Sequence, residues 1–176
     1  MKSRTALHTA AGESVIIDDV EVPDPQPHQV IVKMLATGVC HSQLHQMADP
    51  DRPRPMVLGH EATGVVTQRG HDVTHVGEGD HVIVTWVPRT PIRGRPDREP
   101  PGATYQGELV HDLLVYTWAE DALVNGEYVV PISKEEPTDV TSIVGCAVLT
   151  GAGAVMNTAK VRPGDSVAIF GAGGVG

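Results

Sequence analysis

The sequence predicts a mainly β fold with some α-helix, followed by the beginning of an α/β domain. Three observations predict it. First, 19 glycines and 14 prolines together make 33 of the 176 residues, and such residues favour turns. Second, only 3% of the residues are aromatic, so the core must be aliphatic. Third, short β-branched runs recur through the first 137 residues, whereas small and aliphatic residues typical of packed helices follow residue 137.

The first 137 residues contain the segments with the composition of strands, separated by proline and glycine turns. A short helix is favoured at residues 40–47, and the proline-rich stretch 88–107 favours a long irregular loop. The predicted strands are residues 14–22, 28–35, 64–67, 80–86, 109–116 and 127–132.

The chain changes character at residue 137, which predicts two units, residues 1–137 and 138–176. Residues 137–139 favour the start of a helix, and residues 166–170 predict a buried strand that leads into Gly171-x-Gly173-x-x-Gly176. A strand followed by this glycine spacing is typical of Rossmann dinucleotide-binding domains, because glycines let the backbone approach a pyrophosphate. The helix that would complete such a site does not follow, and a glycine-rich tail is the alternative interpretation.

Charge and hydropathy exclude several classes of function. The formal net charge of −9 disfavours binding to nucleic acid or anionic lipid, which needs clustered Lys and Arg. No apolar stretch reaches the roughly 20 residues of a spanning helix, so we expect no membrane association. The N-terminus has no apolar segment of a signal peptide, which favours a cytoplasmic protein without a disulfide between Cys40 and Cys146.

Four residues have side chains suited to a metal site. Cys40, His60 and Cys146 offer thiolate and imidazole ligands, and Glu61 stands beside His60. A catalytic zinc ion takes three such ligands and keeps one position open. Their spacing is not that of a zinc finger, so the residues alone also allow two packed thiols and a hydrogen-bonded histidine.

Five motifs in order carry a resemblance that covers nearly the whole chain. They resemble the zinc-dependent alcohol dehydrogenases of the medium-chain dehydrogenase/reductase family, which implies a GroES-like catalytic barrel followed by the beginning of a Rossmann nucleotide-binding domain. The motifs are Gly38-Val39-Cys40-His41-Ser42-x-x-His45, Gly59-His60-Glu61-x-x-Gly64, Gly77-x-Gly79-Asp80-His81-Val82, Gly145-Cys146-x-x-x-Thr150-Gly151-x-Gly153-Ala154 and Gly171-x-Gly173-Gly174-x-Gly176.

The resemblance implies a role for each site residue. Cys40, His60 and Cys146 would bind one catalytic zinc ion, and Glu61 would be the nearby carboxylate that exchanges with metal-bound water. The proton relay would consist of Ser42 and His45, and Trp86 would narrow the substrate pocket. The cofactor, NAD or NADP, would contact His41, Thr150, Gly171, Gly173, Gly174 and Gly176.

Two departures from the family pattern modify these expectations. Residues 88–107 contain no cysteine, although many relatives bind a structural zinc ion there, so we expect one zinc ion per chain. Gln43 stands where the family commonly has an aspartate that supports a ligand histidine. Because such supporting carboxylates strengthen metal binding, we expect a weaker zinc site.

The implied activity is NAD(P)-linked interconversion of an alcohol and an aldehyde or ketone in a complete enzyme, which we expect to be a homo-oligomer. The chain alone would be inactive, since hydride transfer needs a bound nucleotide. One alternative is a metal-free relative similar to quinone reductases, which the Cys40, His60 and Cys146 set disfavours. The other is a non-catalytic zinc-binding module, which the Ser42 and His45 pair disfavours.

Overall fold

Two five-stranded antiparallel sheets make up the fold. The computed structural model describes residues 1–90, 102–112 and 114–176, so residues 91–101 of the predicted loop lie outside the described residues. The strands within the described part are β1 (Lys2–His8), β2 (Ile16–Glu21), β3 (Gln29–Thr37), β4 (Met56–Val57), β5 (Glu61–Arg69), β6 (His81–Thr85), β7 (Thr104–Tyr105), β8 (Glu108–Leu109), β9 (Asp121–Asn125) and β10 (Val129–Pro131).

The strand order is β4-β1-β2-β7-β8 in one sheet and β10-β6-β5-β3-β9 in the other. The longest ladder joins β3 to β5, and its register shifts between Ile31 and Val32 and again between Met34 and Ala36. Such irregularities bend a strand and increase its twist. Strand β3 ends at Thr37, three residues before Cys40.

The core lies between the two sheets and is aliphatic, as the composition predicted. Valine dominates it, and Leu7, Ile31 and Val84 are among its fully or almost fully buried members. Tyr116 is the largest fully buried side chain. Its hydroxyl accepts the Leu123 backbone N–H at 3.1 Å, and burial raises its pKa.

Apart from a single 3-10 turn, the helical structure in the described part of the chain consists of one short helix beside the sheets and a run near the C-terminus. Helix α1 spans Ser42–Ala48 and confirms the prediction for residues 40–47. The run at residues 138–158 is nearly continuous. It comprises α2 (Thr138–Thr141), a π-helical segment (Val144–Val148), α3 (Leu149–Gly153) and a second π-helical segment (Ala154–Thr158).

The strand predictions are confirmed at residues 14–22, 28–35, 64–67 and 80–86, which contain or overlap β2, β3, β5 and β6. Two were wrong in part. Among the described residues of 109–116, only Leu109 belongs to a strand, although His111 forms an isolated bridge. The first two of residues 127–132 belong to a 3-10 turn, Gly126–Tyr128, and β10 begins only at Val129. Strands β1, β4, β7 and β9 were not predicted, and β7 lies within residues 88–107, where an irregular loop was expected.

The prediction of a buried strand at residues 166–170 was wrong for this structure. Within the described chain no strand pairs with this segment, and its side chains are exposed, Phe170 to 97%. A strand requires hydrogen bonds from a neighbouring strand, and none lies beside it.

No helix among the described residues is long and apolar enough to cross a membrane.

Candidate metal centre

Cys40, His60 and Cys146 converge at one point. Cys40 lies two residues before α1, His60 lies directly before β5, and Cys146 lies within the π-helical segment Val144–Val148. One ligand atom from each lies within 4.8 Å of the other two, and all three residues are half-buried. Zinc bonds of about 2.3 Å to sulfur and 2.0–2.1 Å to nitrogen hold ligands roughly 3.5–3.8 Å apart. A closure of about 1 Å therefore brings all three onto one ion.

The position of His60 depends on the glycine before it. Gly59 has a φ of +93°, a left-handed conformation that L side chains rarely adopt. A Cβ at Gly59 would also collide with Thr117 and with the backbone nitrogen of Trp118. The turn into β5 therefore requires glycine, and it sets His60 at the end of the sheet.

Cys146 is held by the sheet below it. The Thr85 hydroxyl, at the end of β6, donates a hydrogen bond of 2.6 Å to the Gly145 carbonyl oxygen. A Cβ at Gly145 would approach the Val84 carbonyl oxygen to 2.7 Å, so the segment packs this closely only with glycine. The π-helical turn is a conformation often found at functional sites.

Glu61 supports the same segment from the other side. Its carboxylate accepts the backbone N–H of Ala147 at 3.1 Å and that of Cys146. Burial raises the pKa of the Glu61 carboxyl, and these two hydrogen bonds oppose the rise. Among the described residues, the converging ligand group consists of Cys40, His60 and Cys146 without Glu61. Exchange of Glu61 with metal-bound water stays a prediction.

Gln43 joins two of the three ligands. Its side chain is completely buried. The Gln43 Oε1 atom accepts the Cys40 backbone N–H at 2.8 Å, and Gln43 Nε2 lies 3.2 Å from His60 Nδ1. Burial lowers the pKa of His60, which favours the neutral imidazole that a metal requires.

Burial raises the pKa of the Cys146 thiol to about 11, and the neighbouring Cys40 and Glu61 add to the rise. The metal-free thiol is therefore protonated at neutral pH. A metal ion binds the thiolate, so binding releases this proton.

Helix α1 presents the two residues of the predicted relay. The Ser42 hydroxyl donates a hydrogen bond of 3.3 Å to Cys40 Sγ. His45 is exposed, and its ring packs edge-on against the exposed His41 ring with centroids 5.4 Å apart. The relay residues thus lie on the helix that follows the first ligand.

A cavity of about 380 Å³ opens beside the three ligands, which is within the usual range for small-molecule sites. Trp86 forms part of its wall, and its ring meets His60 edge-on with centroids 6.4 Å apart. The lining residues are Cys40, Ser42, Gln46, Val57, Leu58, Gly59, His60, Trp86, Leu114, Val115 and Cys146.

Sequence reasoning missed several residues of this wall. Gln46 could have been found, because it is four positions after Ser42 and so lies on the same face of α1. Val57, Leu114 and Val115 could not, since only the packing of distant segments brings them to the cavity.

The residues predicted to contact a nucleotide lie elsewhere. His41, Thr150 and the four loop glycines are exposed, and none of them lines the cavity beside the ligands. Gly171, Gly173, Gly174 and Gly176 instead border an open hollow against the helical run, where Val148 and Gly151 form the other side.

Comparison with known proteins identifies the fold. The family model for the alcohol dehydrogenase GroES-like domain matches residues 26–134. An S-(hydroxymethyl)glutathione dehydrogenase from Synechocystis is 37% identical over 199 aligned positions, which cover 100% of this chain and 54% of that protein.

Solved structures agree. An alcohol dehydrogenase zinc-binding domain protein from Burkholderia ambifaria superposes with a TM-score of 0.90 and 31% identity, over 99% of this chain and 54% of its own. Benzyl alcohol dehydrogenase from Acinetobacter calcoaceticus superposes with a TM-score of 0.83 and 30% identity, over 100% of this chain and 53% of its own. The chain spans about half the length of the relatives it matches. In sequence and in fold, this chain belongs to the alcohol dehydrogenase GroES-like domain family.

Proposed function

We propose that this chain forms the metal- and substrate-binding part of a zinc-dependent alcohol dehydrogenase. The enzyme would interconvert an alcohol and an aldehyde or ketone with NAD or NADP. One observation carries the proposal: two thiols and an imidazole converge within 4.8 Å of one another at the wall of a small-molecule cavity.

The residues fit a zinc ion. Cys40, His60 and Cys146 would hold it, because sulfur and imidazole ligands favour zinc over magnesium or calcium. Three protein ligands leave one position for a substrate oxygen. When bound, zinc supplies a Lewis acid that polarises that oxygen.

The proton of the alcohol needs a path out of the cavity, and α1 offers one. Ser42 lines the cavity. Its hydroxyl oxygen can therefore accept a proton from the alcohol while the hydroxyl's own proton leaves to the next group. His45 lies one helical turn away and is exposed, and an imidazole exchanges protons readily near neutral pH. We assign the relay to these two residues.

The cavity wall would bind the carbon skeleton of the alcohol and exclude water. Val57, Leu58 and Val115 are almost completely buried around it, and Trp86 closes one side. Apolar walls of this kind bind an uncharged skeleton by burying its surface. A small, uncharged alcohol is the substrate class that this lining supports.

The remaining assignments follow from the family. NAD or NADP would accept the hydride, and Gly171–Gly176, with His41 and Thr150, would contribute to its binding in a unit that begins near residue 138. One zinc ion per chain, a homo-oligomeric enzyme and a cytoplasmic location belong to the same proposal. A metal-free relative is the main alternative, and the Cys40, His60 and Cys146 set speaks against it.

Metal analysis of the purified chain tests the proposal. We expect about one zinc ion per chain, lost in Cys146→Ser and retained in Ser42→Ala, which removes a hydroxyl beside Cys40 without removing a ligand. In the full-length protein, Ser42→Ala should slow alcohol-dependent reduction of NAD or NADP. A wild-type chain that binds no zinc under reducing conditions would favour the metal-free alternative.

A further inference from the structure

We propose that Gln43 is a positioning residue that selects the tautomer of His60 and thereby lowers the zinc affinity of the site. This inference deepens the proposed function and rests on it. It concerns hydrogen-bonding capacity: once His60 binds a metal ion, two N–H donors would face one Gln43 amide, which has a single acceptor atom.

The amide is isolated from water. Gln43 is 0% exposed, so solvent cannot replace a missing hydrogen bond. Its two neighbours are the Cys40 backbone N–H, 2.8 Å from Oε1, and His60 Nδ1, 3.2 Å from Nε2. Both contacts are made in the same conformation of the Gln43 side chain.

Zinc binding changes what His60 offers to this amide. Because Nδ1 faces Gln43, Nε2 is the ring atom left for a metal ion. A neutral imidazole that binds metal through Nε2 carries its proton on Nδ1 and is a donor there. The Cys40 N–H is always a donor. The Gln43 Oε1 atom can accept a hydrogen bond from only one of these two donors. The other donor then faces the Gln43 NH₂ group, which cannot accept a hydrogen bond.

Turning the amide by 180° does not relieve this conflict. It would pair Oε1 with His60 and bring the NH₂ group against the Cys40 N–H. In the structure Gln43 Oε1 accepts the hydrogen bond from the Cys40 backbone N–H, and Gln43 Nε2 donates to His60 Nδ1. This arrangement favours the tautomer with its proton on Nε2, the nitrogen that zinc needs. Zinc binding must therefore move the His60 proton from Nε2 to Nδ1. It then leaves two buried N–H donors facing each other without an acceptor, which lowers the affinity for zinc.

A carboxylate at the same place would satisfy both donors, because each of its oxygens accepts. Gln43→Glu keeps the length of the side chain and changes only this property. We expect it to bind zinc about 10–100-fold more tightly, the usual size of such supporting effects. The measurement is competition with a chromogenic chelator at pH 7.5. Leu44→Glu is the control, since it adds the same charge at the next position of α1 on an exposed residue, and its zinc affinity should stay within about threefold of wild type.

The tautomer of His60 gives a second readout, which needs neither enzyme activity nor bound zinc. Long-range ¹H–¹⁵N NMR of the metal-free wild-type chain should show His60 protonated on Nε2, whereas Gln43→Glu should show it protonated on Nδ1. A metal-free wild-type His60 protonated on Nδ1 would overturn the inference, as would an affinity of Gln43→Glu equal to or below that of wild type. Failure of every variant to bind zinc would instead contradict the proposed function, and the wild-type tautomer would still decide the role of Gln43.

Discussion

Gly38 shows how a single missing side chain shapes the metal centre. It lies directly after β3, and a Cβ there would approach the Glu61 carboxyl group to 2.6 Å. The Trp118 indole N–H donates to the Gly38 carbonyl oxygen at 3.2 Å, so the backbone is also fixed. Glycine at this position allows the Glu61 carboxylate to reach the backbone of Cys146.

Gly38→Ala should therefore displace Glu61. We expect the free energy of unfolding to fall by about 1–3 kcal/mol, as for other overpacked sites, and zinc affinity to fall with it. Urea denaturation and chelator competition measure the two effects. Gly153→Ala is the matched control, because its nearest neighbour to a new Cβ is 3.9 Å away. It should be neutral or stabilising by up to about 1 kcal/mol. Equal destabilisation by both variants would contradict this account.

The Cys146 thiol predicts a pH dependence of zinc binding. Its pKa of about 11 means that zinc must displace a proton at every pH below that value. Affinity should therefore rise with pH, by about tenfold per unit from this thiol alone. Zinc titrations between pH 6.5 and 8.5, followed by proton release in weakly buffered solution, measure the slope. Zinc binding that does not vary with pH would show that Cys146 does not bind as a thiolate.

The link between β6 and the π-helical segment Val144–Val148 is the contact between elements that matters most for the site. The Thr85 hydroxyl donates to the Gly145 carbonyl oxygen and accepts the Val87 backbone N–H at 3.1 Å. Thr85 is 5% exposed, so water cannot replace either bond. A strand of the sheet thus fixes the turn that carries the third ligand.

Thr85→Val keeps the shape and the β-branched character of the side chain but removes both hydrogen bonds. We expect a loss of about 1–3 kcal/mol in unfolding free energy, because buried polar groups remain unpaired, and a weaker zinc site. Thr67→Val is the control, because it makes the same change on β5 at an exposed residue, whose hydroxyl donates to the Ile31 carbonyl oxygen at 3.2 Å. Its free energy of unfolding should stay within about 0.5 kcal/mol of wild type. A Thr85→Val chain with unchanged stability and zinc affinity would show that this link is dispensable.

Local patterns revealed some elements and not others. The runs that became β2, β3, β5 and β6 were predictable, because each is rich in β-branched residues and is bounded by turn residues. The segment that became β1 also buries alternate residues, Ser3, Thr5 and Leu7, but two of these are polar, so hydropathy conceals the pattern. Residues 109–116 have the composition of a strand, yet among the described ones only Leu109 lies in a strand, and Leu114 and Val115 line the cavity beside the ligands. Composition cannot distinguish these outcomes, because pairing depends on distant partners.

The site was predictable to a similar extent. Ordered motifs indicated Cys40, His60 and Cys146, which the fold brings together. The two contacts of the Gln43 amide and the support of Cys146 by Glu61 depend on atomic distances across the fold, and no spacing along the chain reveals them.

At the scale of the whole molecule, the two sheets form the stable unit and the last residues add little to it. Residues 162–176 are all exposed and belong to no helix or strand. Phe170 and Ile169 expose apolar surface, which favours association between molecules.

A chain ending at Ala159 should therefore have a free energy of unfolding within about 0.5 kcal/mol of that of residues 1–176, and it should associate less. Urea denaturation and light scattering over a range of concentrations measure these two properties. A large loss of stability would show that the last residues pack on the sheets more closely than their exposure indicates.

The placement of the ligands has a consequence for the order of events in the cell. Cys40, His60 and Cys146 lie in three separate segments of the chain, and none is part of the buried apolar cluster. The sheets can therefore assemble from their own core before any ion arrives, unlike small zinc domains that fold only around their metal. Metal capture would be a late step on a finished scaffold, and the loaded fraction would follow the supply of free zinc rather than the rate of synthesis. Chelation would then reverse that step without undoing the fold.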